Sequence, residues 1–349
     1  MSTTISGAGC LGALGNSLED HLDSLRSGRP ALRPLSELPD SPAGFDDLTA
    51  GWIRPRSLLV HRKWSPSSAA ALHVAREAVN AAGWSSDDLA ETAVFLGTSR
   101  GALAGWLEPW PGRRDFNLLA ASNSLASEPA AAVSAELGIR GPWHVVSTGC
   151  CAGLDALATA ELWIEAGRIE RALVIAVDLP LVGPILDAYR RTGLLASGDG
   201  PGMRPAEGAA AVCIEKAGAQ DLAQLLQCHS ISDTEALVSS GRSPHALRKL
   251  LHSASTQHGV PALCVAHASG TEQNRSVERE AIESEFGASM PVVEFKSRTG
   301  HCIGSSGLLE LALAQTGMTT PPLPPGSLVF KIASALGGKH TLAAISLPS

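Results

Sequence analysis

The stretch "HVVSTGCCAGLDALATAELWIEAGRIERALVIAVD" (residues 144–178) decides the fold. A short apolar run leads into small residues around Cys150 and Cys151, a long apolar helix pattern follows, and a second apolar run, "ALVIAVD" (172–178), closes it. The helix is predicted to begin at about Cys150 and to stop at Gly167. Leu154, Leu157, Leu162 and Ile164 make it apolar nearly all round, which predicts a buried helix. A cysteine at the start of such a helix feels the positive end of the backbone dipole, which favours thiolate over thiol. Gly149, Ala152 and Gly153 leave room for another molecule to reach the sulfur, as a nucleophile requires. Two small buried hydrophobes would suit the same positions, since free cysteine is often core filler. Metal-ligand spacing is missing.

The same alternation runs outward in both directions. "AVFLG" (93–97), "WHVVS" (143–147), "AAAVCIE" (209–215), "ALCVAH" (262–267) and "VVEF" (292–295) read as buried strands, and "SLVFKIASALGGKHTLAAIS" (327–346) as strand, Gly-Gly turn, strand. Helix patterns cover 66–82, 119–137, 150–166, 243–257, 274–286 and 304–316, which implies mostly parallel sheets covered by helices. The segments 36–57 and 230–244 read as long loops. With 349 residues, 44% hydrophobic and 17% charged, the chain can bury a sizeable core. A net charge of −7 argues against a nucleic-acid partner. No apolar run reaches membrane-spanning length, and the N-terminal stretch lacks a signal-peptide pattern. Seven cysteines without a Cys-x-x-Cys pair suit a reducing cytoplasm.

A thiolate needs basic or hydrogen-bonding neighbours. Two of the eleven histidines stand where strands end in glycine-rich turns: His267 in "AHASGTEQNRSVE" and His301 in "KSRTGHCIGSSG", with Lys296 directly after "VVEF". His21, His73, His252 and His258 fall in helix-like segments and read as solvated or capping residues.

These blocks carry a resemblance. The opening "ISGAGCLGALGNSLEDHLDSLRSGRPALRPL", the segment around Cys150, the two histidine blocks and the turn "SALGGKH" (334–340) resemble, in order and over almost the whole chain, those of the β-ketoacyl synthases of the thiolase superfamily. The resemblance implies an α/β thiolase-like fold of duplicated halves in a five-layer αβαβα sandwich, with halves at 1–205 and 206–349. It implies Cys150 as nucleophile, His267 and His301 as catalytic histidines, Lys296 as supporting lysine and Glu278 as structural support. Backbone N–H groups at Cys150 and near Leu336 would form the oxyanion hole, and Leu336 would occupy the gating position. The implied reaction is decarboxylative Claisen condensation of acyl and malonyl thioesters in fatty-acid, polyene or polyketide assembly. No metal and no organic cofactor is implied, because phosphopantetheine arrives on the acyl carrier protein. A homodimer or a heterodimer with another ketosynthase is expected, formed through the first half. Arg54, Arg56, Arg62 and Lys63, or Arg190 and Arg191, would dock an acidic carrier protein.

Several positions depart from the pattern. Cys151 follows the nucleophile where a small residue, usually Ser, is common, and "GCCAG" fits a nucleophile motif about either cysteine; family register favours Cys150. Arg275 replaces an Asp, Leu336 a gating Phe and His340 an Asn, while "AEGAA" (206–210) stands for a glycine-rich run. The chain is also short between Cys150 and His267. These departures leave a second reading, a non-elongating chain-length partner of an active ketosynthase. "GTSRG" (97–101) imitates a hydrolase elbow, and "GGKHT" (337–341) fails as a phosphate loop because Ala333 replaces its first glycine. Trp52, Trp106 and Trp110 suit core packing, an acyl pocket or a subunit interface.

Overall fold

The computed structural model describes residues 3–103, 125–216, 222–233, 243–318 and 322–349. Among them the strands are β1 Thr3–Gly12, β2 Arg33–Pro34, β3 Thr49–Ala50, β4 Ala93–Gly97, β5 Trp143–Val146, β6 Arg171–Asp178, β7 Gly208–Lys216, β8 Gln224–Ser232, β9 Leu263–Val265, β10 Val292–Val293, β11 Leu328–Ala335 and β12 Lys339–Ser346. The helices are α1 Leu18–Arg26, α2 Pro66–Ala82, α3 Ser86–Glu91, α4 Glu128–Leu137, α5 Ala152–Glu165, α6 Gly183–Arg191, α7 His245–His258, α8 Glu272–Phe286, α9 Lys296–Thr299 and α10 Ser306–Ala314.

Ten strands hydrogen-bond in the order β10-β9-β11-β12-β8-β1-β7-β6-β4-β5. Divided between β8 and β1, they form two five-stranded sheets of one plan. Numbered along the chain within each sheet, the strands lie in the order 3-2-4-5-1 in both. The pairing senses repeat too: β4 runs parallel to β5 and β6, and β9 parallel to β10 and β11. The last strand of each sheet, β7 or β12, is antiparallel to both its neighbours. Thr3–Leu225 and Thr4–Gln224, with the Ile5 N–H donating to the Ala223 carbonyl (2.9 Å), join the two.

Period-two alternation sorts side chains into layers. On β6, Leu173, Ile175 and Val177 pack outward under α2 and α4, while Ala172, Val174 and Ala176 face the centre. On β11, Phe330 and Ile332 pack outward under α7 and α8, while Val329 and Ala333 face the centre. Between the sheets lie α5 and α10, whose Leu154, Leu157, Leu308 and Leu311 fill one core with both inner faces. The layers are therefore helix, sheet, helix, sheet, helix, as expected.

Two expectations change. The boundary at 205/206 would give residues 208–216 to the second half, but β7 pairs with β1 and β6, so the division falls between β7 and β8. Residues 230–232, read as loop, finish strand β8, whose polar Gln224, Gln227 and His229 hide it from an apolar-run search. Trp52 is buried in a core cluster with Leu35, Leu38 and Leu181. Trp106, Trp110 and the start of the 119–137 helix lie outside the described residues.

A close approach places the turn that carries Cys150. A Cβ at Gly97 would lie 2.4 Å from the carbonyl oxygen of Ala152, so only glycine lets β4 pass beneath the start of α5. Gly97→Ala is expected to lose about 1–3 kcal/mol of stability, as overpacking against immobile backbone does, read as a lower midpoint in denaturant unfolding. An unchanged midpoint would contradict this packing.

Candidate active site

The duplication sets the site. In the first half the chain leaves its third strand, β5, and enters α5 through a 3-10 turn, Gly149–Cys151. In the second it leaves the third strand, β10, passes α9 and enters α10 through the equivalent 3-10 turn, Ile303–Ser305. Cys150 and His301 belong to these matching connections, and His267 follows β9 next to β10. All three stand at carboxyl ends of strands, where parallel sheets place their sites. Gly149 has φ +61, a left-handed conformation that lets the chain turn before Cys150. The Cys150 Sγ and one ring nitrogen from each histidine lie within 4.8 Å of one another.

The two imidazoles are buried, 2% exposed each, and meet edge to face with centroids 5.2 Å apart. Burial, then the charge of Lys296, pushes both well below their ordinary pKa, so both are neutral. Nδ1 of His301 accepts the Ile303 N–H (3.1 Å) and lies 3.1 Å from Ser306 Oγ. That hydroxyl itself accepts the Cys302 N–H. An Nδ1 that accepts a backbone N–H carries no proton, so the proton of neutral His301 sits on Nε2. No hydrogen bond fixes the tautomer of His267 among the described residues. Two non-glycine residues here take left-handed backbone, Ala268 (φ +44) and Ile303 (φ +49), each about 1 kcal/mol or more of strain. Their N–H groups are the ones held, by Glu278 and by His301 Nδ1 respectively.

Beneath the histidines lies a buried charge network. Glu278 accepts the N–H groups of His267 (2.5 Å) and Ala268 (2.8 Å). Lys296 Nζ donates to the His267 carbonyl (2.5 Å) and to Glu310 Oε1 (2.7 Å). Lys331 Nζ lies 2.5 Å from Glu310 Oε2 and donates to the carbonyls of Ala266 (3.2 Å) and Ile332 (2.6 Å). The Ala266–Ala268 backbone is thus gripped on both its donor and acceptor sides. Burial lowers Lys331 to about 8, with Glu310 opposing. Glu310 and Lys331 were not singled out from sequence, although each is the one charge in an apolar element, "SGLLELALA" and "LVFKIASA".

Cys151 is fully buried, its Sγ directed to the Lys339 carbonyl, and burial drives its thiol far up. Cys150 alone among the seven cysteines is half-buried, and the other six are buried. The expected thiolate is not what the free protein holds: burial raises Cys150 to about 11, with Lys296 pulling the other way. Cys150 precedes α5, which starts at Ala152, and the helix end does not outweigh desolvation.

Cys150, His267 and His301 line a cavity of about 420 Å³ together with Arg100, Tyr189, Thr271 and Leu336. Leu336 is 48% exposed at this cavity. Three such ligands in one place also suit a soft divalent cation, yet His301 Nδ1 is already taken and its Nε2 is protonated, so the trio is set for hydrogen bonding. Ser99 of the hydrolase-like "GTSRG" faces the same cavity, but its hydroxyl has no histidine partner among the described residues; its N–H is held by Asp178. Arg275 is exposed on the outer side of α8, away from the cavity. His340 is buried against Ser334 Oγ (2.8 Å), and His21, read as solvated or capping, is buried with its pKa lowered to about 4.

The basic residues are mostly engaged within the fold. Arg56 pairs with buried Glu207, Arg54 donates to the Ala13 carbonyl and lies over Trp52, and Lys63 approaches Glu136 at 3.5 Å. Arg190 pairs with Asp47 and Arg191 with Asp187. Arg62 is exposed and makes no ion pair among the described residues.

The raised Cys150 pKa has a direct consequence, because only thiolate is alkylated. With its midpoint near 11 rather than 9, the iodoacetamide rate at neutral pH should be about a hundredfold below that of a free thiol and still rising beyond pH 10. Mass spectrometry against Cys150→Ala would isolate this site. A rate that levels off below pH 8 would contradict the geometry.

Similarity to known proteins agrees with this construction. "Beta-ketoacyl synthase, N-terminal domain" matches residues 3–219 and "Beta-ketoacyl synthase, C-terminal domain" residues 222–328. Among curated relatives, the Actinorhodin polyketide putative beta-ketoacyl synthase 1 of Streptomyces coelicolor is 30% identical, over 92% of this chain and 78% of its own. Nodulation protein E of Rhizobium sp. (strain N33) is 28% identical, over 92% and 87%. The ishigamide ketosynthase/chain length factor shares the fold with a TM-score of 0.84 at 21% identity, over 100% of this chain and 99% of its own. A ketosynthase (ApeO) in complex with its chain length factor (ApeC) from Xenorhabdus doucetiae gives 0.80 at 18%, over 99% and 98%. Two matched family domains and a relative 30% identical over most of both chains place this chain in the β-ketoacyl synthase family.

Proposed function

We propose that this protein is a condensing β-ketoacyl-carrier-protein synthase, acting in fatty-acid, polyene or polyketide assembly. The observation that carries the proposal is the half-buried Cys150 Sγ within 4.8 Å of two neutral imidazoles. Cys150 attacks the thioester carbonyl of an acyl group delivered on the pantetheine arm of an acyl carrier protein. Its proton passes to His267, whose tautomer is free to accept it, and then to the departing pantetheine thiol. The developing oxyanion lies against the backbone N–H groups of Cys150 and Leu336. A malonyl thioester then enters. Loss of carbon dioxide leaves an enolate whose oxygen takes the Nε2–H of His301, a donor that needs no reorganisation. The enolate carbon attacks the acyl-cysteine carbonyl, the carbon–carbon bond forms, and the sulfur leaves as thiolate and takes a proton from water. Lys296 and Glu278 hold His267 in place and touch no reacting atom.

No organic cofactor beyond the carrier-borne phosphopantetheine is part of this reading. The protein is taken to pair with a second ketosynthase-type subunit, the same or different, through its first half; edge strand β5, with exposed Trp143, supports this. No helix among the described residues is long and apolar enough to cross a membrane, and seven free cysteines suit the cytoplasm. A second reading, a non-elongating chain-length subunit, draws on the likeness to structures that hold such a partner.

One experiment separates the two readings. Incubation with acyl-loaded carrier protein should add the acyl mass to the protein, and Cys150→Ala should abolish the adduct. His301→Ala should keep the adduct but lose about 100-fold or more in malonyl decarboxylation. No adduct, while a co-purified ketosynthase becomes labelled, would support the chain-length subunit instead.

A further inference from the structure

The cavity around Cys150 contains a charge that the condensing chemistry does not use. Arg100 lines it, and among the described residues no carboxylate does. Asp178 is occupied: it takes Thr98 Oγ1 and the N–H groups of Ser99, Arg100 and Gly304 and stays buried. Asp187 on α6 is paired with Arg191. Arg100, exposed to solvent at the cavity, therefore has no ion-pair partner among the described residues; its side chain hydrogen-bonds the Tyr189 hydroxyl, with the guanidinium carbon 5.8 Å from the Tyr189 ring centroid, also on the cavity wall. Both imidazoles are neutral, so this guanidinium sets the sign of the cavity.

A hydrocarbon chain would gain nothing from such a group. An anionic end would meet two or more N–H donors in a planar fork suited to a carboxylate. The Tyr189 hydroxyl, kept protonated by burial, adds a neutral donor alongside. We propose that Arg100 selects the acyl group loaded onto Cys150, and that this group ends in a carboxylate, as in the half-thioester of a dicarboxylic acid. The inference rests on the condensing reading and adds the substrate class to it.

Two other anions could reach this site, the phosphate of the pantetheine arm and the carboxylate of the malonyl extender. The test therefore omits both, using N-acetylcysteamine thioesters in the acylation half-reaction alone. Monoacyl and dicarboxylic half-thioesters of matched length are compared by the rate of Cys150 adduct formation. Wild-type protein should favour the dicarboxylic donor about 10- to 100-fold, the range of a charged hydrogen bond. Arg100→Leu should bring the ratio toward one, and Arg100→Lys should restore part of it. Equal rates for both donors in wild type, or a ratio unmoved by Arg100→Leu, would overturn the selection by Arg100. No Cys150 adduct from any donor would instead overturn the condensing reading beneath it.

Discussion

Glu310 held between Lys296 and Lys331 is the constraint on which the site depends. A lone carboxylate in an apolar helix between two sheets would be prohibitively desolvated, and each lysine alone would be too. Together they are tolerated, and Glu278 adds a second buried carboxyl on the far side of the His267 loop. The lysines use their remaining donors on the carbonyls of Ala266, His267 and Ile332. The network thus fixes backbone rather than reacting groups. Two cations this close to two buried rings also keep both neutral in the resting site, so each resting histidine offers one donor and one acceptor.

The duplicated topology explains why these groups meet. Equivalent connections after β5 and β10 turn into the two central helices, so the sulfur and the His301 ring are delivered from opposite halves to one point. His267 arrives from the neighbouring strand end in the second half alone, where the first half offers Thr98 and Ser99 tied to Asp178. One sheet plan has therefore diverged into a side that carries Cys150 and a side that carries both buried histidines. Left-handed Ala268 and Ile303 mark where the backbone is bent to aim the two rings.

Much of this was legible in the amino-acid order. Apolar runs gave the buried strands β4, β6 and β7, and the 66–82 pattern matches α2 at both ends, since Ser65 caps it and Gly83 closes it. Strand β8 was hidden because its half-exposed face carries polar residues. The choice between Cys150 and Cys151 depended on burial, which neighbouring letters in an apolar context do not encode. Thiolate character was misjudged because desolvation is a property of the assembled cavity. Glu310 and Lys331 meet only after the chain has closed, 21 residues apart, and Arg100 enters the site from a turn read as a decoy. Of the basic residues read as a docking patch, Arg56 and Lys63 have acidic partners and Arg54 a carbonyl, supplied by segments distant in sequence.

The central claim is that both histidines are neutral and that His301 holds its proton on Nε2. Nitrogen-15 NMR of ring-labelled histidine, assigned with single His→Gln variants, reads both properties directly. Between about pH 6 and pH 8 the account predicts two neutral rings, with an acceptor-type Nδ1 and a protonated Nε2 in His301. Imidazolium shifts from either ring in that interval, or a proton on Nδ1 of His301, would contradict it.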